Sequence, residues 1–217
     1  VSFKNVEVYS IDEYYPYGKG EPQSRNKILH TSLLNAVDIK EENIHIPDGS
    51  VPGDKISAYC EEYDKMARNL DMLVIGMGEA GQVGFNEAGT TPSSRTRTVL
   101  LSYQSRKRQG KNFNGDFKHT PSEAITVGID TMMSAKKIIL MAWGEDKANA
   151  VKQVVEHKAD SDFPASFLQN HKDITCYVDE TAASLLTRVV SPWLVGPCEW
   201  TRKFIRKAVV WLCQEVH

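Results

Sequence analysis

The sequence predicts an α/β fold, with a Rossmann-like, mostly parallel sheet and helices on both faces. Short runs rich in β-branched residues alternate with helix-like stretches up to about residue 180. Such alternation implies right-handed crossovers between parallel strands. The runs are almost continuously apolar, as expected of a sheet that is covered on both faces. A length of 217 residues is enough for a full core in one main domain.

The strands and helices follow from the period of the apolar residues. Six runs are predicted to be strands: VEVYSI, NIHIPD, MLVIGMG, AITVGI, KIILMAW and ITCYVDE. Helices are predicted over residues 22–36, 54–69 and 145–157. The second of these carries apolar residues at helical spacing, namely Ile56, Tyr59, Tyr63 and Met66.

The chain changes character near residue 188. The stretch RVVSPWLVGPCEW contains Pro192, Gly196 and Pro197, which interrupt regular structure, and a helical pattern resumes after it. We therefore predict a main α/β domain over residues 1–187 and a connector with a final helix over residues 188–217. The basic residues of that helix could face lipid, but a charged run beside an apolar stripe is typical of a solvated helix that packs on protein.

The composition excludes several classes of partner. Lys and Arg total 26 against 28 Asp and Glu, so no global field favours nucleic acid or a membrane surface. No apolar stretch approaches the roughly 20 residues that span a bilayer, and the N-terminus does not read as a signal peptide. We therefore expect a cytoplasmic protein. The four cysteines and six histidines show no metal-ligand or disulfide spacing, so we expect reduced thiols and no metal.

Polar residues follow several predicted strands, where ligands of such sheets bind. Asp12 and Glu13 end the first run, the glycine-rich loop GMGEAGQVGFNEAG (residues 76–89) follows the third, and Gly144 precedes a helix that bears Lys147. These residues are expected to gather at one edge of the sheet.

Three features of this edge are candidates for chemistry, and each has an ordinary structural alternative. Gly78 and Gly81 allow the backbone to approach a ligand closely, or they serve a turn. Asp12 could take a proton α to a carbonyl, or it could cap a turn or helix. Because neighbouring side chains of a strand point to opposite sides, Glu13 is expected to face elsewhere. Lys147 beside a helix N-terminus indicates an anion such as phosphate, or it is a solvated lysine.

Several motifs together resemble the glucosamine-6-phosphate deaminase/isomerase family in order and spacing. They are SIDEYY, PQSRNKIL, GMGEAGQVGFNEAGTTPSSRTRTV, ITVGIDTMMSAKKIILMAWGEDKANAVKQVVE, PASFLQNH and CYVDETAA, over roughly residues 4–187. The chain is also similar to the related 6-phosphogluconolactonases, but the DEY and GFNE elements favour the deaminase branch.

The resemblance implies an α/β sandwich that is often oligomeric. It also implies a reaction without metal or cofactor, in which glucosamine 6-phosphate becomes fructose 6-phosphate and ammonia in amino-sugar metabolism. By position in these motifs, Asp12 would move a proton between C2 and C1, and Glu87 would belong to the ring-opening relay. Lys147 and Lys111 would hold the substrate phosphate. The expected partner is therefore a sugar phosphate, with a homo-oligomer left open.

The chain also departs from the family. Where the family commonly reads DGH, this chain has Ala80, Gly81 and Gln82. Gln82 can hydrogen-bond a ring oxygen, but near pH 7 it cannot exchange a proton as an imidazole can. The family's phosphate loop lies upstream of the DEY strand, so a chain that starts at Val1 is expected to be an N-terminally truncated deaminase domain. The tail resembles long bacterial forms in which a further domain of the same chain follows.

Three functions stay open at this point. The first is a deaminase/isomerase that acts on a phosphorylated amino sugar through Asp12. The second is a catalytically impaired sugar-phosphate-binding or regulatory domain, which Ala80 and Gln82 favour. The third is a related sugar-phosphate isomerase or lactonase.

Overall fold

The computed structural model describes residues 1–216, which form eight strands and seven α-helices joined by short 3₁₀ turns. The strands are β1 (Val8–Tyr9), β2 (Asp12–Tyr15), β3 (Ile44–His45), β4 (Leu73–Gly76), β5 (Arg97–Leu100), β6 (Glu123–Thr126), β7 (Ile138–Ala142) and β8 (Ile174–Val178). The helices are α1 (Arg25–Ser32), α2 (Ile56–Met66), α3 (Tyr103–Gln109), α4 (Ile129–Met133), α5 (Ala148–Glu156), α6 (Thr187–Val190) and α7 (Arg202–Glu215).

The strands form three sheets, of which two are parallel. Strands β4, β7 and β8 make one parallel sheet in that order, and β1 pairs with β3 in a second. These pairings, with helices between the strands, confirm the predicted α/β class. The six predicted strand runs correspond to β1, β3, β4, β6, β7 and β8.

The third sheet is antiparallel and was not predicted. Strand β6 lies between β2 and β5, in a register that places Thr126 between Asp12 and Arg97. The VEVYSI run (residues 6–11) holds β1 alone, because the chain leaves the pairing with β3 after Tyr9 and a second strand, β2, pairs with β6 from Asp12 onward. Strand β5 escaped detection because it is a partly exposed edge strand that follows a polar loop.

The main core fills the space between the β4–β7–β8 sheet and helices α2, α4 and α5. Ile75, Ile138, Leu140 and Val151 are at most 2% exposed. Each fully buried aliphatic side chain of this size contributes about 1.5–3 kcal/mol of transfer free energy. The sheet from which the glycine loop leaves therefore rests on a close-packed layer.

The helices agree with the predicted ranges but are shorter. Helix α1 begins after Ser24, whose Oγ accepts from Lys27 N at 3.0 Å, and it ends where Leu33 leaves helical geometry. The predicted apolar stripe of α2 was wrong at Met66, which is exposed, because the inward face runs through Cys60, Tyr63 and Ala67.

Residues 187–216 contain α6, a 3₁₀ turn at Pro192–Leu194 and α7. Trp193 stacks on Trp200 with ring centroids 6.1 Å apart and contacts Phe204 edge-on, so the turn packs against the start of α7. No residue of α7 is buried. Across residues 1–216, the longest apolar helical stretch falls short of what crossing a membrane requires. The division near residue 188 stays a prediction.

Candidate functional site

Asp12 lies at the start of β2, with one carboxylate oxygen held and the other directed at the glycine loop. Oδ1 accepts from Arg25 Nε at 2.9 Å. Oδ2 would be 3.5 Å from a Cβ placed on Gly84, within the loop 76–89. The side chain is 11% exposed. The structure therefore brings the candidate base and the glycine loop together, with an unblocked oxygen between them.

Glu13 faces the other side of β2, as expected for the next residue of a strand. Its carboxylate accepts from the backbone N–H groups of Tyr14, Arg25 and Asn26 at 2.9–3.0 Å. Burial raises the pKa of Glu13, although the three N–H groups oppose this shift. Glu13 thus caps the N-terminus of α1, and the capping role that the sequence left open for Asp12 belongs to its neighbour.

The first turn of the glycine loop is closed by its own hydrogen bonds. Gly78 N donates to Gln82 O at 2.9 Å, and Ala80 N donates to the side-chain Oε1 of Gln82 at 3.0 Å. A Cβ on Gly78 would lie 2.2 Å from Cδ of Gln82. Gly78 therefore makes room for the amide of Gln82, whose acceptor oxygen is already engaged within the loop.

Gly81 adopts a left-handed conformation, with φ of +70°. A Cβ there would lie 2.8 Å from Cδ1 of Phe163, and Gly81 O accepts from Ala165 N at 2.8 Å. The close approach that Gly81 permits is thus made by the segment at 163–165, which seats the loop on the core.

Glu87 has one engaged and one unengaged carboxylate oxygen. Oε2 accepts from the backbone N–H of Ser102, the N-cap of α3, at 3.1 Å. Oε1 is buried and has no hydrogen-bond partner within residues 1–216. Buried polar atoms are nearly always paired, so this oxygen indicates an acceptor site for a group that the chain itself does not supply.

The second half of the loop is anchored to the antiparallel sheet. Asn86 Nδ2 donates to Val83 O and Val127 O, its Oδ1 accepts from Arg97 Nη1 at 3.1 Å, and Phe85 N donates to Thr126 Oγ1 at 3.1 Å. This fixes the segment between Gln82 and Glu87 against β5 and β6.

The two lysines of interest lie on separate 3₁₀ turns. Lys111 is exposed in the 3₁₀ turn that follows α3, and Lys147 ends the turn before α5 with its Nζ 2.5 Å from Asp146 Oδ2. The bond to Lys147 lowers the pKa of Asp146, and the charge of Arg108 adds to this effect. Arg108 Nε in turn donates to Glu79 Oε1 at 2.9 Å, which ties α3 to the glycine loop.

Arg25 is a residue of this site that the sequence reasoning missed. Its signal was present, because a cation in the first turn of a helix is disfavoured by the helix dipole unless an anion holds it. Clusters of three or more His, Cys, Asp or Glu residues suited to a metal ion do not occur in the described chain.

The chain is similar in sequence to proteins of one known family. The family model for glucosamine-6-phosphate isomerases and 6-phosphogluconolactonase matches residues 1–177. A glucosamine-6-phosphate deaminase-like protein of Bacteroides thetaiotaomicron is 42% identical over 217 residues, which are 99% of this chain and 33% of that protein. The chain therefore spans about a third of that relative's length. A glucosamine-6-phosphate deaminase of Halalkalibacterium halodurans is 36% identical over 83% of this chain and 74% of its own length.

Solved structures agree with the sequence matches. A monomeric glucosamine-6-phosphate deaminase superposes with a TM-score of 0.81 at 35% identity, over 85% of this chain and 76% of its own. The 6-phosphogluconolactonase of Thermotoga maritima superposes with a TM-score of 0.63 at 19% identity, over 82% and 74% of the two chains. At that identity the second match shows a shared fold alone.

Proposed function

Since the chain belongs to the glucosamine-6-phosphate isomerase/6-phosphogluconolactonase family, we propose that it acts on a phosphorylated amino sugar by aldose–ketose isomerisation with release of ammonia. The observation that carries this proposal is the geometry of Asp12. One of its oxygens is fixed by Arg25, and the other faces the glycine loop.

The proposed reaction starts from the open-chain aldehyde of the sugar. Asp12 Oδ2 removes the proton at C2, and the C2–H electron pair forms a C1=C2 double bond while the C1 carbonyl oxygen takes a proton from water, which gives an enolamine that is also an enol at C1. Asp12 then returns its proton to C1 as the nitrogen lone pair forms a C2=N bond, and the resulting iminium gives up an N–H proton to the hydroxide left by that water. The product is a 2-imine, which water hydrolyses at C2 to the ketose and ammonia. General base help of this kind typically accelerates proton transfer about 10²- to 10⁴-fold.

Two lysines supply cations for the phosphate end of the substrate. Lys147 Nζ is partly buried and paired only with exposed Asp146 within the described residues. Lys111 is exposed on the turn after α3. Charge-assisted hydrogen bonds to phosphate are about twice as strong as neutral ones. An incoming phosphate dianion would therefore compete with Asp146 for Lys147.

Opening of the sugar ring is the step that this site is least equipped to catalyse. The oxygen of the Gln82 amide accepts from Ala80 N, and Glu87 Oε1 lacks a donor within residues 1–216. We therefore propose slow turnover of the ring-closed sugar and faster proton transfer on substrate that is already open.

The same observation favours a second candidate, a binding or regulatory domain that retains the sugar-phosphate pocket without turnover. A lactonase is the third candidate and would cleave an ester without ammonia. The fold that this chain shares with a 6-phosphogluconolactonase supports this third candidate.

The test follows deuterium from D₂O into the carbon-bound positions next to the carbonyl of fructose 6-phosphate, together with ammonia release from glucosamine 6-phosphate. We expect exchange by the full-length protein and a loss of at least about 10²-fold in Asp12→Asn. Asp71→Asn, which removes an exposed carboxylate paired with Lys136, is the matched control and should exchange normally. Sugar-phosphate binding without any exchange would establish the binding domain instead.

A further inference from the structure

The Asp12 carboxylate is held by a single arginine, which is itself unusually well fixed. Arg25 is the first residue of α1, and its backbone N–H donates to Glu13 Oε1 at 2.9 Å. Its guanidinium lies over the rings of Tyr14 and Phe85, with the central carbon 5.1 and 5.5 Å from the two centroids. Four contacts of three kinds therefore converge on this residue: a helix cap at its backbone N–H, an ion pair and two aromatic faces.

The contact between Arg25 and Asp12 distinguishes the two carboxylate oxygens. Nε donates to Oδ1 at 2.9 Å, and Oδ2 is left toward Gly84. A carboxylate on an unrestrained side chain exchanges its oxygens by rotation about χ2, which is a broad torsion. Because the guanidinium binds one oxygen in a fixed direction, it removes this freedom.

The backbone of Arg25 is held as well as its side chain. Glu13 binds the first two backbone N–H groups of α1, those of Arg25 and Asn26, and so places Arg25 where its side chain reaches Asp12. Burial lowers the pKa of Arg25, but Asp12, Tyr14 and Glu13 together outweigh burial and raise this pKa. The guanidinium is therefore charged when it binds Asp12.

Given the proton transfer proposed above for Asp12, we propose that Arg25 is a positioning residue that holds Oδ1 of Asp12 and thereby presents Oδ2 to the substrate carbon. It acts through Asp12 and does not itself exchange a proton. Misplacement of a catalytic group by about 1 Å is enough to cost about 10²-fold in rate.

The test compares Arg25→Ala, Arg25→Lys and the control Arg95→Ala in the deuterium-exchange assay. Arg95 also binds a buried aspartate, Asp64, through Nε at 3.1 Å, but away from Asp12. We expect kcat to fall about 10²-fold in Arg25→Ala with little change in KM, and guanidinium ion to restore part of it, whereas urea restores none. Lysine lacks the planar fork, so Arg25→Lys should also lose kcat. Arg95→Ala should keep the wild-type kcat.

Thermal unfolding of each variant separates loss of position from loss of fold. The α1 cap uses the backbone of Arg25, so Arg25→Ala should still fold. If Arg25→Ala does not fold, the test uses the kcat of Arg25→Lys, which keeps a long, charged side chain. A folded Arg25→Ala with wild-type or higher kcat, a loss confined to KM, or no response to guanidinium would overturn the proposal and leave the proposed function standing. Absence of exchange in the wild-type protein would overturn both.

Discussion

Asp12 and Glu13 are adjacent in β2, yet their carboxylates are bound by different parts of the same residue. Asp12 accepts from the side chain of Arg25, and Glu13 accepts from the backbone N–H of Arg25, each at 2.9 Å. Alternation of side chains along a strand places the two carboxylates on opposite sides, and α1 contacts both. The position of the candidate base and the cap of the helix are therefore coupled through one residue.

This coupling predicts that Glu13→Gln destabilises the protein. Oε1 accepts from Tyr14 N and Arg25 N, and Oε2 accepts from Asn26 N. A glutamine amide would point N–H at one of these donors, so the free energy of unfolding should fall by about 1–3 kcal/mol. Urea denaturation measures the change. Glu62→Gln alters an exposed glutamate paired with Lys65 and should remain close to wild type. Equal midpoints for the two variants would contradict the capping role.

The buried carboxylate of Asp64 predicts acid sensitivity. Burial opposes its ionisation, but hydrogen bonds from Thr131, Thr96 and Arg68 outweigh burial and lower the pKa of Asp64 from 3.8 to about 2. The ionised form therefore stabilises the fold above pH 3.8. This contribution, about 2 kcal/mol by linkage, is lost as the pH falls toward 2.

Asp64→Asn should be less stable than wild type at pH 7 by about 3 kcal/mol, because it leaves buried donors without an acceptor. The stability of this variant should also fall less as the pH is lowered, because residue 64 no longer takes up a proton. Urea midpoints at pH 7, 5 and 3 measure both effects. An unchanged pH slope in the variant would show that another group carries the acid sensitivity.

The contact between Gly81 and Phe163 predicts that Gly81→Ala destabilises the loop. The left-handed backbone alone should cost about 1–2 kcal/mol for alanine, and the 2.8 Å approach to Phe163 adds a clash. Gly89→Ala is the matched control, since Gly89 has φ of +90° with no atom within 4 Å of its Cβ position. In thermal unfolding, the melting temperature should fall further in Gly81→Ala than in Gly89→Ala. The reverse order would rule out the contact with Phe163 as the reason for glycine there.

The presence of Gln82 where the family commonly has a histidine predicts a gain of turnover in Gln82→His. An imidazole can exchange protons near neutral pH, whereas a glutamine amide cannot. We expect ammonia release from ring-closed glucosamine 6-phosphate to rise at least about 10-fold, with deuterium exchange into open-chain substrate unchanged. Gln82→Leu provides the comparison without a titratable group. A gain in both assays, or in neither, would show that ring opening does not limit this site.

The ion pair of Lys147 predicts that this residue selects for phosphate. Lys147→Met should weaken binding of the sugar phosphate much more than binding of the neutral sugar, because phosphate gains charge-assisted hydrogen bonds. Lys136→Met, which removes an exposed lysine paired with Asp71, should change neither. Titration calorimetry with both ligands measures the ratio. Equal losses for the two ligands would place Lys147 outside the phosphate site.

Much of the candidate site was predictable from the sequence, because short motifs carry local chemistry. The glycines after β4 and the replacement of a histidine by Gln82 depend on neighbouring residues and on residue type alone. The prediction that Asp12 ends a strand was wrong, because Asp12 begins β2, whose pairing with β6 is a long-range contact. The opposite directions of Asp12 and Glu13 likewise follow from the period of a strand.

The contacts across the fold were not predictable in this way. The antiparallel sheet arises because β2 and β5 pair with β6, and strand pairing depends on residues that lie far apart along the chain. The contact of Phe163 with Gly81 is decided by the same long-range packing.

The sequence by itself determined the α/β class, the family and the residue types of the site, because the period of apolar residues and the order of motifs are local properties. Only the tertiary structure decided that Arg25 binds Asp12, that Glu13 caps α1, and that one buried oxygen of Glu87 has no partner within residues 1–216. The physical reason is that hydrogen-bond partners and burial are set by which distant segments share the interior, and this is fixed when the chain packs.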